Sequence, residues 1–176
     1  NRLTSFGSGS ESSGLAAALG AIAQGEGGGD ALAELADRLV RVDPAAHEGV
    51  CRAGRRSFPR DPRFARGLAI AAERAQNPGL AAAHMAAAVE LQPDDQRTLR
   101  GAIDASLQWL TQELGADDVE PGRRAYELAA SLLGQWRARY AGQLPPVASS
   151  DLEEAAAQLE LAVGNLDGAR THLERA

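Results

Sequence analysis

A grid of small and apolar residues returns along this chain at an interval of about 34 residues, and that recurrence constrains the fold more than any other feature. From Pro62 to Asp95 it places Ala65, Leu68, Ala69 and Ala72, then Gly79, Ala81, Met85, Ala88, Val89, Leu91 and Pro93. Ser13–Ala46 repeats it with Ala16, Leu19, Gly20 and Ala23, then Leu39, Val42 and the pair Asp43-Pro44. Ser150–Ala176 repeats it with Ala157, Gly164, Leu166, Ala169, Leu173 and Ala176. Each unit reads helix–turn–helix. A lone hairpin cannot bury its apolar face, so the spacing predicts hairpins stacked into a solenoid. Solenoids hold other molecules more often than they transform them.

The residue content agrees with helix throughout. Alanine fills 37 of 176 positions, and Val, Ile, Phe and Tyr are scarce. Alanine loses no side-chain entropy on entering a helix, and its small size lets helices approach closely. No window alternates β-branched residues, so the expectation is all-α, with no sheet. The net charge of −6 argues against a general nucleic-acid coat, and nucleic acid is not expected as a partner. All 18 basic residues are arginine, which with the alanine excess points to a GC-rich, bacterial genome. The single cysteine, Cys51, rules out an intramolecular disulfide. No apolar run reaches the roughly 18 residues of a membrane span. That leaves cytoplasm and periplasm both open. The chain starts at Asn1 and stops at Ala176 in mid-helix by the repeat register, so a segment of a longer protein is expected.

Local signals divide the chain further. Residues 1–13 are rich in Ser and Gly and read as a flexible linker, with a single helical repeat domain over 14–176. A helix over Gly14–Gln24 ends in the Gly25–Gly29 run, and Asp30 is the expected N-cap of the next, Ala31–Val42. Asp43-Pro44 is expected to stop that helix, and Ala45–Phe58 to form another. Asp61-Pro62 signals a start by N-cap and first-turn proline, and that helix runs to Gln76. Asn77-Pro78-Gly79 turns the chain into Leu80–Leu91. Longer helices follow over Asp95–Leu114, ended by Gly115, and from Pro121 to Gly142. Ser150-Asp151-Leu152-Glu153 has the form of a capping box, and the last hairpin turns at Gly164-Asn165. The total is about nine helices, with an irregular middle section over Gln96–Ser149 that carries no clear repeat.

The quoted grid resembles the tetratricopeptide repeat family. Pro62–Asp95 matches that family's pattern at Leu68, Ala69, Ala81, Met85, Ala88 and Pro93, Ser13–Ala46 at Leu19-Gly20 and Pro44, and Ser150–Ala176 at Gly164, Ala169, Leu173 and Ala176. The resemblance covers a little over half of the chain. It implies a helical-hairpin solenoid whose first helices line a concave groove.

Arginines then stand out. Arg63 and Arg66 open the best-matched repeat, and Arg97 and Arg100 stand 34 residues later, each pair at i, i+3 on one helix face. By the resemblance these places face the groove, where a planar guanidinium fork would hold an acidic or C-terminal carboxylate group. Arg74 extends that patch and Ile70 lies between. The bland reading pairs the arginines with Asp61, Glu73, Asp94, Asp95 or Asp104 at the surface, where a pair is worth about 0–1 kcal/mol. Arg52, Arg55, Arg56 and Arg60 form a second basic run, opposed only by Asp61. Of the large aromatics, Phe64, Trp109 and Trp136 read as core. Tyr140, beside Arg137 and Arg139, is a partner-binding candidate.

Other constellations carry less. His47 and Cys51 share a helix face at i, i+4, but two ligands do not close a zinc site, so no metal is expected. No nucleophile–base spacing is present, the glycine run lacks a phosphate-binding Lys, and neither catalysis nor a cofactor is expected. The leading expectation is a non-catalytic scaffold that holds a protein or peptide, favouring an acidic one. The alternative is a regulatory helical domain of a larger bacterial signalling, transcription or secretion protein. Leu110–Gly115 and the Asp43-Pro44 segment faintly resemble helical domains of bacterial transcriptional activators.

Overall fold

The computed structural model describes residues 19–20, 24–25 and 27–176. The expected linker lies outside them, as does most of the expected first helix. Eight helices and no strand occur among the described residues, so the chain is all-α. They are α1 (Gly28–Leu39), α2 (Pro44–Ser57), α3 (Pro62–Arg74), α4 (Pro78–Leu91), α5 (Gln96–Glu113), α6 (Glu120–Arg139), α7 (Ser149–Ala162) and α8 (Leu166–Leu173).

Caps explain most of the boundaries. Asp43 accepts from the backbone N–H of Ala46 at 3.0 Å, with Pro44 in the first turn. The pair Asp43-Pro44 therefore opens α2. Asp61 accepts from Arg63 N–H at 3.0 Å, Asn77 from Leu80 N–H at 3.0 Å, Asp95 from Arg97 N–H at 3.1 Å, and Asn165 from Gly168 N–H at 3.1 Å. Each satisfies a backbone donor that has no partner inside its helix. Two expected caps are not made. The N-cap of α1 is Gly27 in the left-handed region (φ 73°), and Asp30 sits inside the first turn, where its charge faces the positive helix end. The N-cap of α7 is Ala148, without a side-chain cap, because the helix begins at Ser149 and Ser150 lies inside its first turn.

The helices group into two compact units, Asn1–Ala71 and Ala72–Ala176. In the first, Leu32, Val50, Cys51, Phe64 and Leu68 form a core with Ala33 and Ala36. Phe58 stacks on Phe64 with ring centroids 6.2 Å apart. Phe64 lies against Gly54: a Cβ built there would sit 2.2 Å from its ring, so only glycine lets α2 approach that ring. Gly67 plays the same part for Cys51, whose Sγ would be 2.3 Å from an added Cβ.

In the second unit, α4 pairs with α5, α5 with α6, α6 with α7, and α7 with α8. Val89, Leu99, Ile103, Leu132 and Trp136 make one cluster, and Leu110, Ala125, Ala129, Leu133, Leu152 and Leu159 a second. Phe64 and Trp136 are core, as their neighbours predicted, whereas Trp109 is half-buried. The interval of the sequence grid does not carry through here: α5 has 18 residues and α6 has 20.

Candidate functional site

A cleft of about 510 Å³ opens in the second unit, lined by Glu73, Gln76, Pro78, Gln108 and Gln112. One wall is the end of α3 and the turn into α4; the other is the C-terminal half of α5. The turn is tightly determined. Gln76 N–H donates to Glu73 O at 2.9 Å and Asn77 N–H to Ala72 O at 2.9 Å, the paired bonds of a Schellman helix end. That motif puts Gln76 at φ 54°, the one described residue other than glycine with positive φ. The second wall is pinned by Trp109, which lies between Gln108 and Gln112 in sequence. A Cβ on Gly79 would sit 3.1 Å from the Trp109 indole, so α4 begins in direct contact with that ring. The indole N–H donates to Glu113 Oε1 at 3.2 Å. Of the five lining residues only Glu73 is charged, and three carry carboxamides.

A polar seam joins α6, α7 and α8. Tyr126 Oη donates to Glu153 Oε1 at 3.1 Å, and His172 Nδ1 lies 2.8 Å from Glu153 Oε2. The tyrosine and histidine rings meet edge to face at 5.4 Å. Burial, together with the neighbouring Glu153 carboxylate, raises the Tyr126 phenol above its ordinary value. Nearby, Arg123 bridges Glu160 at 3.0 Å, and Asn165 Nδ2 donates to the same carboxylate at 2.5 Å. Both clusters fasten the last hairpin to α6.

The arginines singled out in the sequence divide between the units. In the first, Arg63 and Arg66 lie on the solvent side of α3, with Ile70 38% exposed one turn on. Arg63 is committed within the fold: its Nε contacts both Asp61 oxygens at 3.0 Å and its Nη2 lies 2.8 Å from Asp30. Burial alone would raise the Asp61 carboxyl, but the hydrogen bonds and charge of Arg63 hold it below the usual value. The Arg63 guanidinium is in turn stabilised in its charged form, chiefly by the bond to Asp61. In the second unit Arg74, Arg97 and Arg100 are exposed, and Arg100 lies 4.0 Å from Asp104 on its own helix. Tyr140 packs on Trp136 at 5.0 Å and donates to Asp94 O at 2.9 Å, which holds the end of α6 against the start of α5.

His47 and Cys51 do meet, Sγ to Nε2 at 3.5 Å, in the buried interior of the first unit. Burial, then the charges of Asp37 and Glu48, push the Cys51 thiol up to about 11. No group of three or more metal-ligating side chains occurs among the described residues. No helix there is long and apolar enough to cross a membrane. The cleft residues were missed in the sequence because glutamines carry no motif. The usable signal was a glutamine where the turn demands a left-handed residue.

Comparison with known families changes the reading. Residues 61–165, more than half of the chain, match the family model described as tetracyclin repressor-like, C-terminal domain. No curated protein and no solved structure matches the chain. The resemblance to tetratricopeptide repeats is overturned by this match, and with it the solenoid, the concave groove and the peptide-holding scaffold as the main function. What imitated the repeat is a local device. The turns Gln76-Asn77 and Gly164-Asn165 close alanine-rich hairpins in the same way, and small residues at helical spacing accompany any close helix pair. The exclusion of nucleic acid loses its support with that match. The chain belongs to the tetracyclin repressor-like C-terminal domain family.

Proposed function

We propose that this chain is the regulatory helical domain of a transcription repressor, one that senses a small molecule and does no chemistry on it. The observation that carries the reading is the family match over residues 61–165. Two features of the second unit support it. The cleft between the α3–α4 turn and α5 is concave, with four polar side chains converging on it. The polar seam at Glu153 and Glu160 ties the last hairpin to α6 through side chains, which gives the bundle a joint that ligand binding in the same unit can bias.

The test is a reporter driven by the promoter region next to the gene that encodes this chain. Deleting the gene should raise reporter output severalfold, and restoring it should return output to the starting level. Unchanged output on deletion, at that promoter and those of the neighbouring genes, would remove the repressor reading.

A further inference from the structure

The cleft's composition says what kind of molecule fits. Glu73 is its only ionised lining residue, so the site disfavours anions and favours a cation. Gln76, Gln108 and Gln112 each present two donors and a carbonyl acceptor, a set that pairs with hydroxyl groups in either direction. Pro78 adds one short apolar surface. Both walls are held before any ligand arrives: the turn by its Schellman bonds, and α5 by the contact of Trp109 with Gly79. Binding therefore needs little rearrangement of the backbone.

The position of Gln76 adds an independent observation. The matching turn at the end of α7 has Gly164 at φ 74°, with Gly164 N–H donating to Leu161 O and Asn165 N–H to Glu160 O. Glycine is the residue such a turn favours, and a side chain there is strained. Gln76 takes that position and lines the cleft. Backbone strain held by the surrounding structure is most often found where a side chain has a task.

We propose that the cleft binds a small hydroxylated organic cation, of the chemical class of an amino sugar. This deepens the regulatory reading and rests on it for its biological meaning, but not for its chemistry.

The experiment is a titration of the full chain, followed by the NMR signals of the Gln76, Gln108 and Gln112 side-chain amides. Glucosamine, glucose and glucuronate are the probes, chosen as cation, neutral molecule and anion on one ring. Glucosamine should move these amide signals, with glucose about fivefold weaker and glucuronate weaker still, since one charge near an exposed carboxylate is worth about 1 kcal/mol. Glu73→Gln should bring glucosamine down to the affinity of glucose. Gln76→Gly should lose affinity while the fold becomes more stable, which separates loss of the site from loss of the fold. No movement of the three amides with any probe, equal binding of glucuronate, or unchanged affinity in both variants would overturn the proposal. Repression in the reporter without amide shifts removes this ligand class and leaves the regulator standing. Amide shifts without repression leave the cleft a binding site and remove the regulator.

Discussion

Gln76 and Gly164 hold the same place in the same turn: each follows a helix end in the left-handed region, at φ 54° and 74°, and each precedes an asparagine that caps the next helix. The two turns thus differ in the residue that bears the strain. Replacing Gln76 by glycine should raise stability by about 0.5–1 kcal/mol, because the left-handed position no longer crowds a Cβ. Gly164→Ala should lower it by about 1 kcal/mol for the converse reason. Urea denaturation midpoints measure both. A lower midpoint for Gln76→Gly would show that the glutamine side chain stabilises the turn.

Gly54 faces Phe64 with no room for a methyl group, its added Cβ falling 2.2 Å from the ring. Gly54→Ala should cost about 1–3 kcal/mol, since the ring is boxed in by the core around it. Pairing it with Phe64→Leu should recover part of that loss. Simple additivity of the two substitutions in thermal unfolding would argue that they do not share this contact.

Cys51 is buried and its thiol is pushed up to about 11. At pH 8 roughly one molecule in a thousand then carries the thiolate that reacts. A disulfide reagent such as DTNB should label the native chain orders of magnitude more slowly than the urea-unfolded chain. Equal rates would mean that the helix carrying Cys51 opens freely.

The Tyr126 phenol is raised above its ordinary value of 10.0, by burial first and by Glu153 second. A group raised in the folded state contributes stability that is present below its unfolded value and lost as pH rises through its folded one. The last hairpin should therefore loosen only above about pH 10, as the phenolate forms beside a carboxylate. With two tyrosines in the chain, ultraviolet titration should show a late step that Tyr126→Phe removes. A late step that persists in that variant would show that the raised phenol is not Tyr126.

Asp61 carries the opposite sign, its carboxyl held down by Arg63 against the effect of burial. Its contribution is present above the ordinary carboxylate range and lost as pH falls through its lowered folded value. Asp61→Ala should cost about 1 kcal/mol at neutral pH, mainly through the lost cap on α3. The partly exposed ion pair adds little to this. A cost that disappears in molar salt would place the effect in the ion pair and not in the cap.

Much of this fold is legible in the order of its residues. The helix start at Pro62 follows from an Asp before a proline, whereas Asp43-Pro44, expected to stop a helix, opens one, and Pro78, expected in a turn, begins the next helix. Turns at Gln76-Asn77 and Gly164-Asn165 follow from asparagine caps. These signals are local, so a few adjacent residues decide them. The all-α class follows from alanine content and from periodicity in the same way. The capping box at Ser150–Glu153 failed because the helix begins at Ser149, which puts Ser150 inside its first turn, while Glu153 accepts from Tyr126 and pairs with His172 from distant sequence.

The sequence by itself determined the helical class and roughly where most hairpins turn, because caps and prolines act over one helical turn, but it misplaced the starts at Asp30, Pro44 and Ser150. It did not determine which hairpins group together, which tetratricopeptide-like spacing suggested wrongly. Tertiary packing decided that, through contacts such as Phe64 on Gly54 and Trp109 on Gly79, where the absence of a Cβ in one helix makes room for a ring from another. It also decided the cleft. Three glutamines and a glutamate, spread from position 73 to 112, acquire a shared chemistry only once the α3–α4 turn is pinned against α5.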